Sequence, residues 1–247
     1  MLRGAIFAAL ALAGAGQAGA APIVLPGDEQ SRIEARARIE ALRLNLESYP
    51  SATTVLRVWC EDYGLAQEPK IRAIPVTGAD KPLRPDDRAA LGAAPGEEVR
   101  YRRVQLACGD RVLSEADNWY RPGQLTPEMI EALETTDTPF GTVVSPLRFQ
   151  RRTLSSRLMF QPMADPPRGL FARPRKNGPL VVPPHVLEQR ALLVKPDGTP
   201  FSLVVENYTG EILTGQLRPN ADAEPVTLTA DAPPAAEDEA QDAEAVE

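Results

Sequence analysis

Two stretches of this chain read as β-hairpins, and they constrain what everything else must pack against. The first runs VRYRRVQLAC, then Gly109-Asp110, then RVLSEADNWY. The second runs VLEQRALLV, then Pro196-Asp197-Gly198 as its turn, then PFSLVVENY. In each, apolar and β-branched residues alternate with polar ones on either side of a Gly-Asp or Asp-Gly turn, the pattern of antiparallel strands joined by a tight loop. Side chains alternate between the two faces of a strand. One face of the first hairpin's leading strand therefore carries Arg102, Val104, Leu106 and Cys108, and the other carries Tyr101, Arg103 and Gln105. In the last strand Ser202, Val204, Glu206 and Tyr208 share a face.

Each hairpin thus sets one charge, Arg102 or Glu206, among apolar neighbours. Burying either alone is expensive, so each needs a partner or a ligand. Three readings fit. Arg102 and Glu206 pair with each other, lie exposed at a sheet edge, or hold opposite ends of a small molecule. In the last reading the Arg fork grips a carboxylate and Glu206 accepts from a hydroxyl.

Helical signals flank the hairpins. From Asp28 to Tyr49, Ile33, Ile39, Leu42 and Leu46 recur at helical spacing, and Pro50 ends the run. Ser51 can cap a second helix bearing Val55, Leu56 and Trp59, with Gly64 in the left-handed position at its end. KIRAIPV (70–76) reads as an edge strand, and 77–97 as a polar loop. Thr126-Pro127-Glu128 opens a further helix. Residues 145–180 carry seven Arg and Lys176, with one short strand expected around 154–160. The segment is either a solvated crossover or a basic rim. The order helix, helix, strands, helix, strands implies an α+β domain over 28–218.

The two ends differ from this body. Residues 1–20 hold one Arg, an apolar core from Ala5 to Ala13 and small residues ending Ala18-Gly19-Ala20, the three-part pattern of a signal peptide cleaved after Ala20. Residues 21–27 then form a linker. The apolar run is short for a membrane span, so the mature chain is expected in an oxidising compartment such as a periplasm, and in the cytoplasm if the segment is no true signal. Residues 219–247 contain nine acidic and no basic residues and few large apolar ones, the composition of a disordered tail. Without those nine the formal charge of −7 becomes +2, so net charge offers no argument for nucleic acid. Cys60 and Cys108 are the only cysteines and are either one disulfide or two buried thiols. His185 is the only histidine, and there is no zinc-type Cys/His spacing and no phosphate-binding glycine loop.

The sequence SATT at a helix start, RYRRVQLACGDRVLSEADNW, TTDTPFG and RALLVKPDGTPFSLVVENY, in that order from Ser51 to Tyr208, resembles the chorismate pyruvate-lyase family. The resemblance implies an antiparallel sheet of about six strands flanked by helices, a buried site, and no metal or organic cofactor. It implies elimination of pyruvate from chorismate to give 4-hydroxybenzoate, a step in ubiquinone biosynthesis. Carried over, Arg102 grips the ring carboxylate, Glu206 meets the ether end, and Ala52 and Phe140 contribute backbone N–H groups. The expected partner is chorismate or a similar small aromatic carboxylate, taken by a monomer. Three features depart from the family: the stretch between Gly141 and Val186 is longer, a long acidic tail is added, and the signal peptide separates the chain from a cytosolic substrate. The alternative is an exported, non-catalytic protein that binds such a carboxylate in the same pocket.

Overall fold

The two hairpins form the centre of one sheet. A computed structural model describes residues 22–78, 80–163 and 178–217. The expected signal peptide, the acidic tail and the middle of the basic segment lie outside the described residues. The elements are β1 (Val24–Leu25), α1 (Glu29–Ser48), α2 (Ala52–Asp62), β2 (Ile71–Pro75), α3 (Pro85–Ala90), β3 (Arg100–Cys108) and β4 (Arg111–Tyr120). Then follow α4 (Pro127–Thr135), α5 (Phe140–Val143), β5 (Gln150–Leu158), β6 (Leu180–Val181), β7 (His185–Val194) and β8 (Pro200–Thr209). The main sheet is antiparallel throughout, in the order β2-β3-β4-β8-β7-β5. Six antiparallel strands with flanking helices are what the sequence led us to expect.

Register follows from the turns. Gly109 adopts φ +56° in the two-residue turn that sets Cys108 opposite Arg111. Two rows then cross the sheet. One runs Arg102, Asn118, Val204, Ala191 and the next Val104, Ala116, Glu206, Gln189. Residues of both rows line one cavity beside the start of α2.

α1 lays Ala35, Ile39, Leu42 and Leu46 into the core, and α2 adds Val55, Leu56, Trp59 and Cys60. Ile33, on the same apolar reading, is instead 45% exposed, because the buried stripe passes through Ala35. Asp28 and Ser51 cap the two helices by accepting from the N–H groups of Ser31 and Thr54. The indole N–H of Trp59 donates to the Ile212 carbonyl at 3.1 Å, which ties the turn after β8 to α2. A disulfide joins Cys60 on α2 to Cys108 at the end of β3. The other face of the sheet is covered in part by α3, through Leu91 against Trp119, Leu192 and Leu203.

Several boundaries differ from expectation. Residues 21–27 are not a bare linker, since Val24 and Leu25 pair with Val181 and Leu180. The loop at 77–97 contains α3, a six-residue helix with Pro85 in its first turn but no side-chain cap. β5 begins at Gln150, four residues before the expected strand, so Arg151 and Arg152 belong to the sheet. His185 opens β7 and lies 3.1 Å from Glu115.

Candidate functional site

Between the sheet and the start of α2 lies a cavity of about 50 Å³. Arg102, Asn118, Glu206 and Arg151 reach it from β3, β4, β8 and β5. Val104, Ala116, Val204, Leu193, Phe140 and Phe149 supply apolar wall. Pro50 to Thr53 and Gly141 close it on the helical side. All four site residues singled out in the sequence, Arg102, Glu206, Ala52 and Phe140, therefore line one cavity.

Arg102 and Glu206 do not pair. Val204 is in register with Arg102 two strands away, so Glu206, two residues further on, has its Cα about 12 Å from that of Arg102 by strand spacing and rise. The partner of Glu206 is Arg151, whose Nη2 donates to Oε2 at 2.5 Å. Both side chains are nearly inaccessible, at 3% and 6% exposed. The Tyr208 hydroxyl donates to the same carboxylate oxygen at 3.1 Å, and Arg151 Nη2 also reaches Gln189 Oε1 at 3.3 Å. Burial works against the charge on Arg151, but the Glu206 carboxylate outweighs it and holds the guanidinium pKa above its ordinary value. The Tyr208 phenol is pushed well up, first by burial and then by Glu206 beside it, so it remains a donor.

Arg102 is in the opposite situation. Its two terminal nitrogens are shielded from solvent and have no hydrogen-bond partner in the protein. Burial pulls its pKa down from the ordinary value, with Tyr120 opposing only weakly. A guanidinium so placed still keeps its proton and presents an unused fork to the cavity.

Ala52 is the first residue of α2, and its N–H is among the donors that no intrahelical carbonyl can reach. Phe140 opens α5, and its ring stacks toward Tyr120 and Phe201 at 5.6 and 6.4 Å. The two helix starts press together at Gly141. A Cβ there would meet Ser51 Oγ and Thr53 Oγ1 at 3.3 Å, which glycine avoids.

Sequence reasoning missed Arg151 as the partner of Glu206 and Asn118 as a cavity residue. The signal for Arg151 was present: QRRTLSSRL alternates as a strand, with arginine on each face. Among the described residues no group of three or more His, Cys, Asp or Glu is placed to hold a metal ion. Among them, too, no helix is long and apolar enough to cross a membrane.

No family model matches the chain. Solved structures similar to it include the effector domain of PhnF from Mycobacterium smegmatis, at 13% identity and a TM-score of 0.40, covering 66% of this chain and 90% of that one. Another is a GntR-family transcriptional regulator from Enterococcus faecalis, at 11% identity and a TM-score of 0.35, covering 61% of this chain and all of that one. The uncharacterized protein y4mC of Sinorhizobium fredii is 48% identical over 193 residues, which cover 76% of this chain and 80% of y4mC. With that identity over that share of both sequences, the chain belongs to the y4mC family.

Proposed function

We propose that this chain is a chorismate-lyase-like exported protein that takes a small aromatic carboxylate of the 4-hydroxybenzoate type into the cavity between Arg102 and Glu206. The observation that carries this reading is the Arg102 fork: two buried nitrogens, both without a protein acceptor, lining a cavity with largely apolar walls. Leaving a charged group desolvated and unpaired is costly, and a planar carboxylate would relieve that cost through two parallel hydrogen bonds. Val104, Phe149 and Leu193 would take the ring. Glu206, paired with Arg151, would accept from a hydroxyl at the far end.

Titration calorimetry of the full chain with 4-hydroxybenzoate tests the reading. Wild type should bind, and Arg102→Ala should lose at least a hundredfold in affinity, as expected when a buried charge-assisted contact goes. Equal binding by both proteins, or binding by neither, would overturn it.

Turnover is a second reading, favoured because Arg102 and Glu206 line the same cavity from different strands, as the lyase resemblance requires for the ring carboxylate and the ether. In that reaction the ether C–O bond breaks, the adjacent hydroxyl-bearing ring carbon loses its proton so that the ring becomes aromatic, and the departing enolpyruvate takes up a proton to give pyruvate. Against it stands the occupancy of the Glu206 carboxylate, whose Oε2 already accepts from Arg151 and from the Tyr208 hydroxyl. Pyruvate released from chorismate by wild type, and by neither Glu206→Ala nor Arg102→Ala, would support it. No release from a folded wild type would leave binding alone.

A further inference from the structure

Asn118 is nine-tenths buried, lines the cavity and stands directly opposite Arg102 in the β3–β4 register. Its Nδ2 is shielded from solvent and has no partner in the protein, the same state as the two terminal nitrogens of Arg102. Its other end is occupied. The Ser202 hydroxyl, itself fully buried, donates to Asn118 Oδ1 at 2.6 Å. With Oδ1 held by Ser202, the NH2 group is the end of this cavity-lining amide left for a ligand.

Resting on the reading that this cavity takes a carboxylate, we propose that Asn118 is a ligand-binding and specificity-determining residue. Its amide N–H completes, with the Arg102 fork, a three-nitrogen cradle for the carboxylate, and Ser202 positions it. A carboxylate has acceptor sites enough for a bidentate guanidinium and one further donor, and it offers no hydrogen of its own. A neutral carboxamide would turn its own NH2 against one of these donors. The cradle therefore selects acids over their amides, because a site built from buried donors rejects a group that leaves one unpaired.

The reverse amide orientation would set Oδ1 toward Arg102 and make Asn118 a competitor of the ligand. The two orientations differ in what Asn118→Leu, a change of similar size, should do. The experiment is calorimetric titration of the full chain, as wild type, Asn118→Leu, Asn118→Asp and Arg102→Ala, with 4-hydroxybenzoate and with 4-hydroxybenzamide. We expect wild type to prefer the acid and Asn118→Leu to lose about tenfold to a hundredfold for it, the usual range for a bond to a charged group. Asn118→Asp should invert the preference, since its carboxylate repels the acid and accepts from the amide. Asn118→Asp is expected to fold, because the new carboxylate gives Arg102 an acceptor, and its melting temperature checks this. If it does not fold, Asn118→Leu decides the question.

Binding of the acid that Arg102→Ala abolishes but Asn118→Leu leaves unchanged or tighter would overturn the role of Asn118 while leaving the carboxylate reading intact. No binding of the acid by wild type would overturn both.

Discussion

Glu206 finds its cation locally, in Arg151, and both side chains of the pair are nearly inaccessible. Truncating the arginine would leave a buried carboxylate with only the Tyr208 hydroxyl for company. Arg151→Met should therefore destabilise the protein by about 3–5 kcal/mol, while Arg151→Met combined with Glu206→Met should recover most of that loss. Urea denaturation of the two variants checks both outcomes, and an additive double mutant would refute the pairing. A second prediction concerns Tyr101 on the other face, whose hydroxyl donates to buried Asp117 at 2.6 Å. Burial, then Asp117, push its pKa up to about 12. Because folding raises this pKa from 10.0, the phenol's contribution is full below pH 10 and is lost as pH rises toward 12. Melting temperatures between pH 9 and 12 should fall less steeply in Tyr101→Phe than in wild type. At this scale the sequence was half legible. Alternation alone placed Arg102 and Glu206 on inward faces, but which cation met Glu206 depended on strand order, and order is a property of the assembled sheet. β5 lies beside β7 and not beside β8, so Arg151 reaches across one strand to Glu206.

Among elements, the hairpins were readable because their turns are chemically specific and their period is two. α3 was not, since a six-residue helix without a side-chain cap leaves little periodicity to detect. β1 and β6 were missed for a related reason: two residues each cannot show an alternation. The joint between α2 and β3 makes a prediction of its own. The Cys60–Cys108 bond closes a loop with a sequence separation of 48, which in the chain-entropy model contributes roughly 4 kcal/mol. The Cys60→Ala/Cys108→Ala double variant should lose stability on that order in urea, and wild type under reductant should match it. The helix starts that close the cavity make another. A volume of about 50 Å³ holds only a few waters, well short of the roughly 300 Å³ of typical ligand pockets, so a ring enters only if the walls give. The thin wall is the contact of Gly141 with Ser51 and Thr53. Backbone amides at 51–54 and 140–144 should exchange hydrogen quickly in the free protein and at least tenfold more slowly with 4-hydroxybenzoate bound. Protection confined to the central strands would refute this route.

For the whole molecule, compartment decides which of the two functional readings can operate. Chorismate is a cytosolic metabolite, so a lyase needs the chain to stay inside the cell, whereas a carboxylate binder works equally well outside. Two features point outward. Residues 1–20 have the charge, apolar core and small-residue end of a cleaved signal. The two cysteines of the folded body form one disulfide, a bond that persists in oxidising compartments and is rare in the cytosol. Both predict that the chain, expressed with its own N-terminus in a Gram-negative host, is recovered from the periplasm beginning at Ala21 and without titratable thiol. Mass spectrometry of fractionated cells, with and without alkylation under denaturing conditions, reads all three properties at once. An intact Met1 on a cytosolic chain with two reactive thiols would remove the export argument and return the balance to catalysis. A mature, oxidised periplasmic chain would mean that the Arg102 cradle meets only acids that reach that compartment, and the search for its ligand would begin with those.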